Sequence, residues 1–320
     1  MMGNPQTTND IINTTCCVCG HQGNKHMFDG KDERFRVDEK MYSIVRCQHC
    51  GLARLDPRPA DHALGRYYPA SFYTPRFIES PKRNLNTWRK KRHGEKTVAE
   101  KLRIIHAHIQ PPGLLVDIGC AAGEFLAHAR ANNWQVCGVE FDPNTAARTR
   151  ESLKIDVRTG SIDDVELPHN VNVCTFWASL EHMPDPLGAL KKARQSLAPD
   201  GIIVVLVPNF GSWEARVAGN KWPHLDIPRH LYHFEPSTLK TLAEAAGLRV
   251  LEINTPRTSL SNSHWPTALL GGWRPRSRRS QRIVNSIFIP ISEILSGIAS
   301  PMRANHTLIG VFTSDNISQL

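Results

Sequence analysis

Three groups of residues in this chain have the types and spacing to do chemistry. The first is Asp117-Ile118-Gly119-Cys120-Ala121-Ala122-Gly123, which closes the apolar run Leu114-Leu115-Val116. The run is too brief for a helix, and helical periodicity starts directly after it at Phe125, Leu126 and Ala129, so it reads as buried strand, tight turn and helix start. The glycines are spaced G-x-x-x-G with no Lys-Ser/Thr behind them, so neither the dinucleotide nor the P-loop fingerprint is met. Asp117 disfavours a phosphate and suits an ammonium. Glu140 ends the next apolar run, Val136-Cys137-Gly138-Val139, where a nucleotide-type fold uses a carboxylate to accept from ribose hydroxyls. A Cβ at Gly119 or Gly123 is expected to intrude on a ligand lying against the backbone.

The second group is Cys16-Cys17-Val18-Cys19-Gly20 with Cys47-Gln48-His49-Cys50-Gly51. Two C-x-x-C-G knuckles separated by a hairpin-length segment match a four-thiolate zinc ribbon, each trailing glycine permitting the turn that converges two sulfurs. Cys16, Cys19, Cys47 and Cys50 are the expected ligands, because pairing Cys17 with Cys19 leaves only one residue between them. Reduced, unmetallated thiols are the plainer alternative. A closed site of this kind serves folding rather than catalysis. The third group is histidine: His182 follows the fourth core strand, and His230 lies in Trp222-Pro223-His224-Leu225-Asp226-Ile227-Pro228-Arg229-His230-Leu231-Tyr232-His233-Phe234. Either could be a general base at neutral pH, and either could be structural.

An amine and a ribose on one ligand, without phosphate, suggest S-adenosylmethionine (SAM). Asp117-x-Gly119-Cys120-x-x-Gly123, Glu140-Phe141-Asp142-Pro143 and Leu180-Glu181-His182-Met183-Pro184-Asp185-Pro186 together resemble the successive motifs of class I SAM-dependent methyltransferases, nearest the ubiquinone-type and sugar-modifying branch. The resemblance covers roughly residues 110–255. It implies adenine recognition by Ile162 and Asp163, with Asp164 a one-position alternative, and a substrate lid at the R-H-L-x-x-F signature around His230. Asn172 stands where the family has an aspartate, with an effect expected on local hydrogen bonding only. The family's amino-methylation motif is replaced by Trp177-Ala178-Ser179-Leu180, and Cys120, Cys137 and Cys174 are poorly placed to be nucleophiles.

The elements that position these groups follow from the order of patterns. Strand 114–120, helix 123–132, strand 135–141, helix 144–153, strand 155–159, strand 171–178, helix 186–197, strand 201–207, helix 236–246 and strand 248–254 alternate as in a parallel doubly wound α/β sheet, with His306 to Thr313 closing it. With the resemblance, the expectation is a Rossmann-like seven-stranded sheet carrying a small amino-terminal zinc ribbon. The domains are read as a ribbon at 1–55, an aromatic and basic connector with a leading helix at 56–110, and a methyltransferase domain at 111–320 with insertions at 210–235 and 259–305. Phe35-Arg36-Val37 and Tyr42 to Arg46 are expected as the ribbon hairpin.

At 320 residues, 40% hydrophobic and with a net charge of +9, the chain is globular, and its basic balance fits a polyanion or an anionic membrane without deciding between them. No secretory pattern opens it and no apolar run spans a membrane, so a cytoplasmic protein is expected. The basic stretch Lys82 to Arg92 reads as a solvated face or an anion contact. Residues 273–299 combine a basic segment with an amphipathic helix, which suits a peripheral place at the inner membrane surface as well as a core or dimer helix. The expected function is methyl transfer to a small-molecule or lipid-linked saccharide hydroxyl, as in polysaccharide biosynthesis, with a deoxysugar carbon second. An RNA methyltransferase is the alternative enzyme, although the absent amino-methylation motif disfavours nucleic acid. A non-catalytic SAM-fold binding module is the alternative outside enzymes.

Overall fold

The computed structural model describes residues 10–69, 97–256 and 305–314. Its core is β6 (Gly113–Ile118), α3 (Glu124–Ala131), β7 (Trp134–Glu140), α4 (Pro143–Leu153), β8 (Asp156–Thr159), β9 (Val171–Trp177), α5 (Pro186–Ser196), β10 (Leu197–Pro208), α6 (Trp213–Ala218), α7 (Pro236–Ala245), β12 (Leu248–Asn254) and β13 (Thr307–Ser314). These strands form one sheet in the order β12-β13-β10-β9-β6-β7-β8, in which β13 alone runs against its neighbours. The chain order reverses between β6 and β9, so the cleft for a ligand opens at their carboxyl ends. Buried apolar residues pack the sheet on both faces, which is why the strands read as continuous apolar runs.

Local chemistry starts and stops these elements. Asp142 caps α4 by accepting from Thr145 N–H at 2.7 Å, with Pro143 at the first helical position. Asp185 and Pro186 repeat the device for α5. Pro199-Asp200-Gly201, whose residue types suit a turn, lies inside β10: Leu197 pairs with Val171, the register breaks, and pairing resumes at Ile202 with Val173. Asn172 supplies its side-chain oxygen to Leu114 N–H at 2.8 Å.

The amino-terminal module is built from β1 (Ile11–Ile12), β2 (Asn24–Gly30), β3 (Tyr42–Cys47), β4 (Ala53–Leu55) and β5 (Arg58–Pro59), followed by the one-turn helix α1 (Asp61–Leu64). The partner of β3 is β2 and not Phe35-Arg36-Val37, which lies in the loop between them; Asp32 at that loop's start accepts N–H bonds that wind the chain into a turn. The sheet's fourth strand is β11 (Tyr232–His233), donated by the segment that carries His230. Ahead of the core, helix α2 covers 97–106 and leads into β6. The basic stretch Lys82 to Arg92, the amphipathic segment 273–299 and all but the last residue of the 259–305 insertion lie outside the described residues. Among the described residues, no helix is long and apolar enough to cross a membrane.

Candidate active site

The turn after β6 is tied to the next strand. Gly119 and Cys120 N–H both donate to Val139 C=O, at 2.8 and 3.0 Å. Gly119 and Gly123 have φ of +81° and +71°, the left-handed region that glycine tolerates best. Packing within the protein gives each glycine a reason of its own. A Cβ on Gly119 would stand 2.7 Å from Ser179 Cβ, and one on Gly123 would stand 2.7 Å from Leu153 and Thr149 on α4. What the glycines secure is close packing between the turn and its neighbours.

Two carboxylates flank this turn. Asp117 is buried at the end of β6 and accepts from Thr175 Oγ1 at 2.7 Å. Burial pushes its carboxyl up to about 6, against the opposing pull of Lys101 and the Thr175 hydroxyl. Glu140 at the end of β7 accepts from Ala121 N–H through one oxygen and Asp142 N–H through the other, both at 2.9 Å, leaving each oxygen a second lone pair. Beside Glu140, the Phe141 ring stands 54% exposed. Further on, Ile162 is buried and Asp163 exposed, while the Asp164 carboxylate is turned onto the Ser161 hydroxyl at 2.7 Å.

The histidines lie at the same sheet edge. Ser179 Oγ donates to Ile118 C=O at 2.6 Å, so the loop after β9 sits against the turn after β6. From that loop His182 meets His230 edge to face, with ring centres 4.5 Å apart. His182 Nδ1 lies 3.1 Å from Arg229 C=O and 2.9 Å from the Tyr68 hydroxyl, and His230 Nδ1 lies 2.8 Å from His224 C=O. A carbonyl can only accept, so each Nδ1 carries the proton and each Nε2 keeps its lone pair. Burial pushes His182 down to about 4, with Asp226 and the Arg229 carbonyl opposing, and drives His230 well below the usual imidazole value. Both rings are neutral bases at pH 7. Glu181 joins them: donor atoms of Glu181, His182 and His230 lie within 4.8 Å of one another, close enough to share a proton or a cation. Its carboxylate is buried without a hydrogen-bond partner, and burial pushes it up to about 8.

The four expected thiols are the ones that converge. Cys16 and Cys50 Sγ lie 3.4 Å apart, Cys19 and Cys47 Sγ 3.6 Å, against ~3.8 Å between thiolates around tetrahedral zinc. Gly20 and Gly51 N–H fold back onto Cys16 and Cys47 C=O, with φ of +69° and +78°. The cluster is compatible with a four-thiolate metal site. Cys17 stands apart, its thiol pushed up to about 12 by burial beside Tyr232. Cys120, Cys137 and Cys174 are buried, with burial raising every thiol out of reach of ionisation at neutral pH.

A methyltransferase domain model matches residues 88–253, half of the chain. The chain belongs to this methyltransferase family. It is a class I SAM-dependent enzyme. The ubiquinone biosynthesis O-methyltransferase of Xanthomonas campestris pv. campestris is 28% identical over 193 residues, 57% of this chain and 77% of that protein. The enzyme of the same name from Nitrosospira multiformis is 26% identical over 167 residues, covering 48% and 70%. The solved SAM-dependent methyltransferase of Archaeoglobus fulgidus is 15% identical, with a TM-score of 0.46 over 72% of this chain and 99% of that one.

Four residues of this methyltransferase site carry no individual role in the sequence motifs, although Tyr68 belongs to the aromatic connector that the resemblance places near the active-site mouth, with a packed linker as the alternative. Lys101 of α2 places its ammonium 4.9 Å from the Trp177 ring centre and 5.4 Å from that of Phe125; burial lowers its pKa while Asp117 and Glu124 oppose. Tyr68 reaches His182 across 114 residues of sequence. Glu181 was quoted only as the neighbour of a histidine, and Phe141 as part of a motif. The signal available for Glu181 was an acid directly beside a histidine after a core strand. For Tyr68 the signal was the aromatic connector around Tyr67-Tyr68-Pro69, whereas for Lys101 no local pattern exists, because it is brought in by packing.

Proposed function

We propose that this methyltransferase moves the methyl group of SAM to a hydroxyl oxygen of a small or lipid-linked acceptor. The observation that carries it is the joining of two acid-flanked strand ends with a pair of neutral imidazoles. When bound, SAM supplies an activated sulfonium methyl, so the protein has mainly to align, desolvate and remove a proton. Asp117 would hold the amine, with Lys101 facing the carboxylate of the same methionine moiety. Glu140 would accept from the ribose hydroxyls, and Ile162, Asp163 and Phe141 would frame the adenine. The Nε2 of His182 or His230 would accept the acceptor's O–H.

The low basicity of these rings supports oxygen over carbon. An oxygen that has gained a methyl becomes an oxonium far more acidic than an imidazolium of pKa about 4, so a weak base is sufficient there. Proton removal from carbon would need a much stronger one. We take the four-cysteine cluster as a structural zinc site and the chain's division near residues 55 and 110 as ribbon, connector and catalytic domain. Cytoplasmic residence is part of the same reading.

For the acceptor, a saccharide hydroxyl is the reading from the sequence motifs. The relatives' names favour a second one, a polyprenylated phenol of the ubiquinone type, and neither name speaks for polysaccharide. Calorimetry with SAM and S-adenosylhomocysteine tests the cofactor site. Transfer of labelled methyl from SAM to nucleotide sugars, lipid-linked saccharides and polyprenyl catechols then separates the acceptors. A folded protein that takes up neither nucleoside would end the proposal.

A further inference from the structure

Residues 229–231 touch the histidine pair on one side and the ribbon on the other. Leu231 N–H donates to Glu181 C=O at 2.8 Å, and Leu231 C=O accepts from Leu55 N–H at 2.9 Å, before Tyr232–His233 continue as the ribbon sheet's last strand. The carbonyl of Arg229 takes the His182 Nδ1 proton. Its guanidinium, fully buried, runs the other way: Nη2 donates to Asp32 and to Asp226, both at 2.8 Å, and Nη1 donates to Tyr67 C=O at 3.3 Å. Asp32 is itself 1% exposed and is clasped by the N–H groups of Arg34, Phe35 and Val37. Arg34 closes the cluster from outside, donating to Asp226 Oδ2 at 2.7 Å. That same oxygen lies 3.9 Å from His230 Nε2.

We propose that Asp32 and Arg34 of the ribbon are positioning residues for the His182–His230 pair, acting through Arg229 and Asp226. Deepening the reading of these histidines as acceptor-side groups, it makes the ribbon a wall of the active site. The charges balance as two carboxylates against two guanidinium groups. Without the Asp32 charge, Arg229 has Asp226 as its only carboxylate, which pulls the 226–230 turn and the carbonyls that orient both rings. Without Arg34, the Asp226 carboxylate is unshielded toward His230 Nε2, which can then bind a proton from solvent and donate to Oδ2; with Nδ1 still donating to His224 C=O, the ring becomes a cation and ceases to be an acceptor. The other polar groups facing the pair are Glu181, His233 and the Tyr68 hydroxyl, and none of them belongs to the ribbon's charge cluster.

The test is the imidazole nitrogen resonance of the full chain labelled in histidine, read at one pH near neutrality, with and without S-adenosylhomocysteine. His182→Gln and His230→Gln spectra assign the two rings. In Asp32→Asn and in Arg34→Ala, both rings are expected to shift, with His230 in Arg34→Ala moving toward the Nε2-protonated signature. Asp32→Glu, which keeps the charge, should return them toward the wild-type positions. Lys31→Ala, which breaks only an exposed pair with Glu39, should leave them in place. Adenosylhomocysteine affinity is expected to stay within about twofold throughout. Should Asp32→Asn not fold, Arg34→Ala decides, since the Arg34 side chain is 40% exposed. Unmoved rings in folded Arg34→Ala protein, or equal movement in Lys31→Ala, would overturn the proposal. Failure of adenosylhomocysteine to bind strikes the proposed function instead, and the unliganded spectra then judge the clamp.

Discussion

The rings of His182 and His230 meet at 85°, 4.5 Å between centres, each with its Nδ1 turned to a backbone carbonyl. Forty-seven residues of chain lie between them, and their orientation is set by peptide carbonyls, with the Tyr68 hydroxyl also on His182, rather than by a carboxylate hydrogen bond. This leaves two imidazole lone pairs in one desolvated corner beside the cofactor turn, an arrangement suited to receiving a proton and unsuited to holding one.

Removing either lone pair should therefore separate chemistry from cofactor binding. His182→Gln and His230→Gln are each expected to lower the methyl transfer rate by ~10²-fold or more, the usual range for a positioned base. Adenosylhomocysteine affinity, measured by calorimetry, should be unchanged. If one variant keeps the full rate, that histidine is the structural member of the pair.

The two adjacent cysteines at the first knuckle give a sharper test of the ribbon. Cys16→Ser and Cys47→Ser should lose bound zinc and lower the melting temperature, because a closed thiolate site contributes directly to folding. Cys17→Ser should keep zinc at one equivalent by atomic absorption, its thiol facing Tyr232 rather than the cluster. Zinc lost from Cys17→Ser and kept in Cys16→Ser would reverse the ligand assignment.

The sheet was legible because its strands and helices carry their own periods, and α4, α5, α6 and α7 their own caps. Strand 248–254 coincides with its observed bounds, and the other core elements differ by a few residues. The placement of Asp117 and Glu140 at two adjacent strand ends was legible too, since they stand at fixed offsets along local strand–turn–helix units. The acceptor end was not. Arg229 reads in sequence as part of a substrate lid, yet its side chain is buried against Asp32, 197 positions away. The β2–β3 register escaped for a related reason: Phe35-Arg36-Val37 has strand-like residues, but Asp32 claims the backbone N–H groups of Phe35 and Val37. No periodicity encodes contacts made between modules.

Glu181 offers a test by stability alone. Its folded pKa of about 8 lies above the unfolded carboxyl value, so folding is favoured by protonation and loses support as pH rises between ~4.3 and 8. Above pH 8 both states are ionised and the loss stops growing. Glu181→Gln, which cannot ionise, should melt higher than wild type, with a gap that widens from pH 5 to pH 8 and then levels. Over that span a buried carboxyl accounts for a few kcal/mol, on the order of 1.4 per pH unit. A gap that ignores pH would mean that the carboxylate is ionised and matched by a cation in the same corner.

Asp117 makes the corresponding prediction for binding. In the proposed cofactor site its ionised form would attract the amine of SAM, while burial holds its carboxyl near 6 in the free protein. Protonation therefore competes with the ligand: the apparent Kd should be flat above pH 7 and should rise toward tenfold for each pH unit below about 6. Neither histidine confounds this range, since His182 is held near 4 and His230 well below its usual value. Asp117→Asn keeps the shape and the Thr175 contact but loses the charge. It should bind adenosylhomocysteine ~10²-fold more weakly at pH 7.5, in keeping with the loss of a desolvated charge pair, and its Kd should lose the acid limb. Lys101→Ala separates the two ends of the methionine moiety. It removes the cation beside Asp117, so the acid limb should move to higher pH while affinity falls at every pH. Calorimetry of the three proteins from pH 5 to pH 8 reads all of this, and an acid limb that survives in Asp117→Asn would assign it to Glu140 instead.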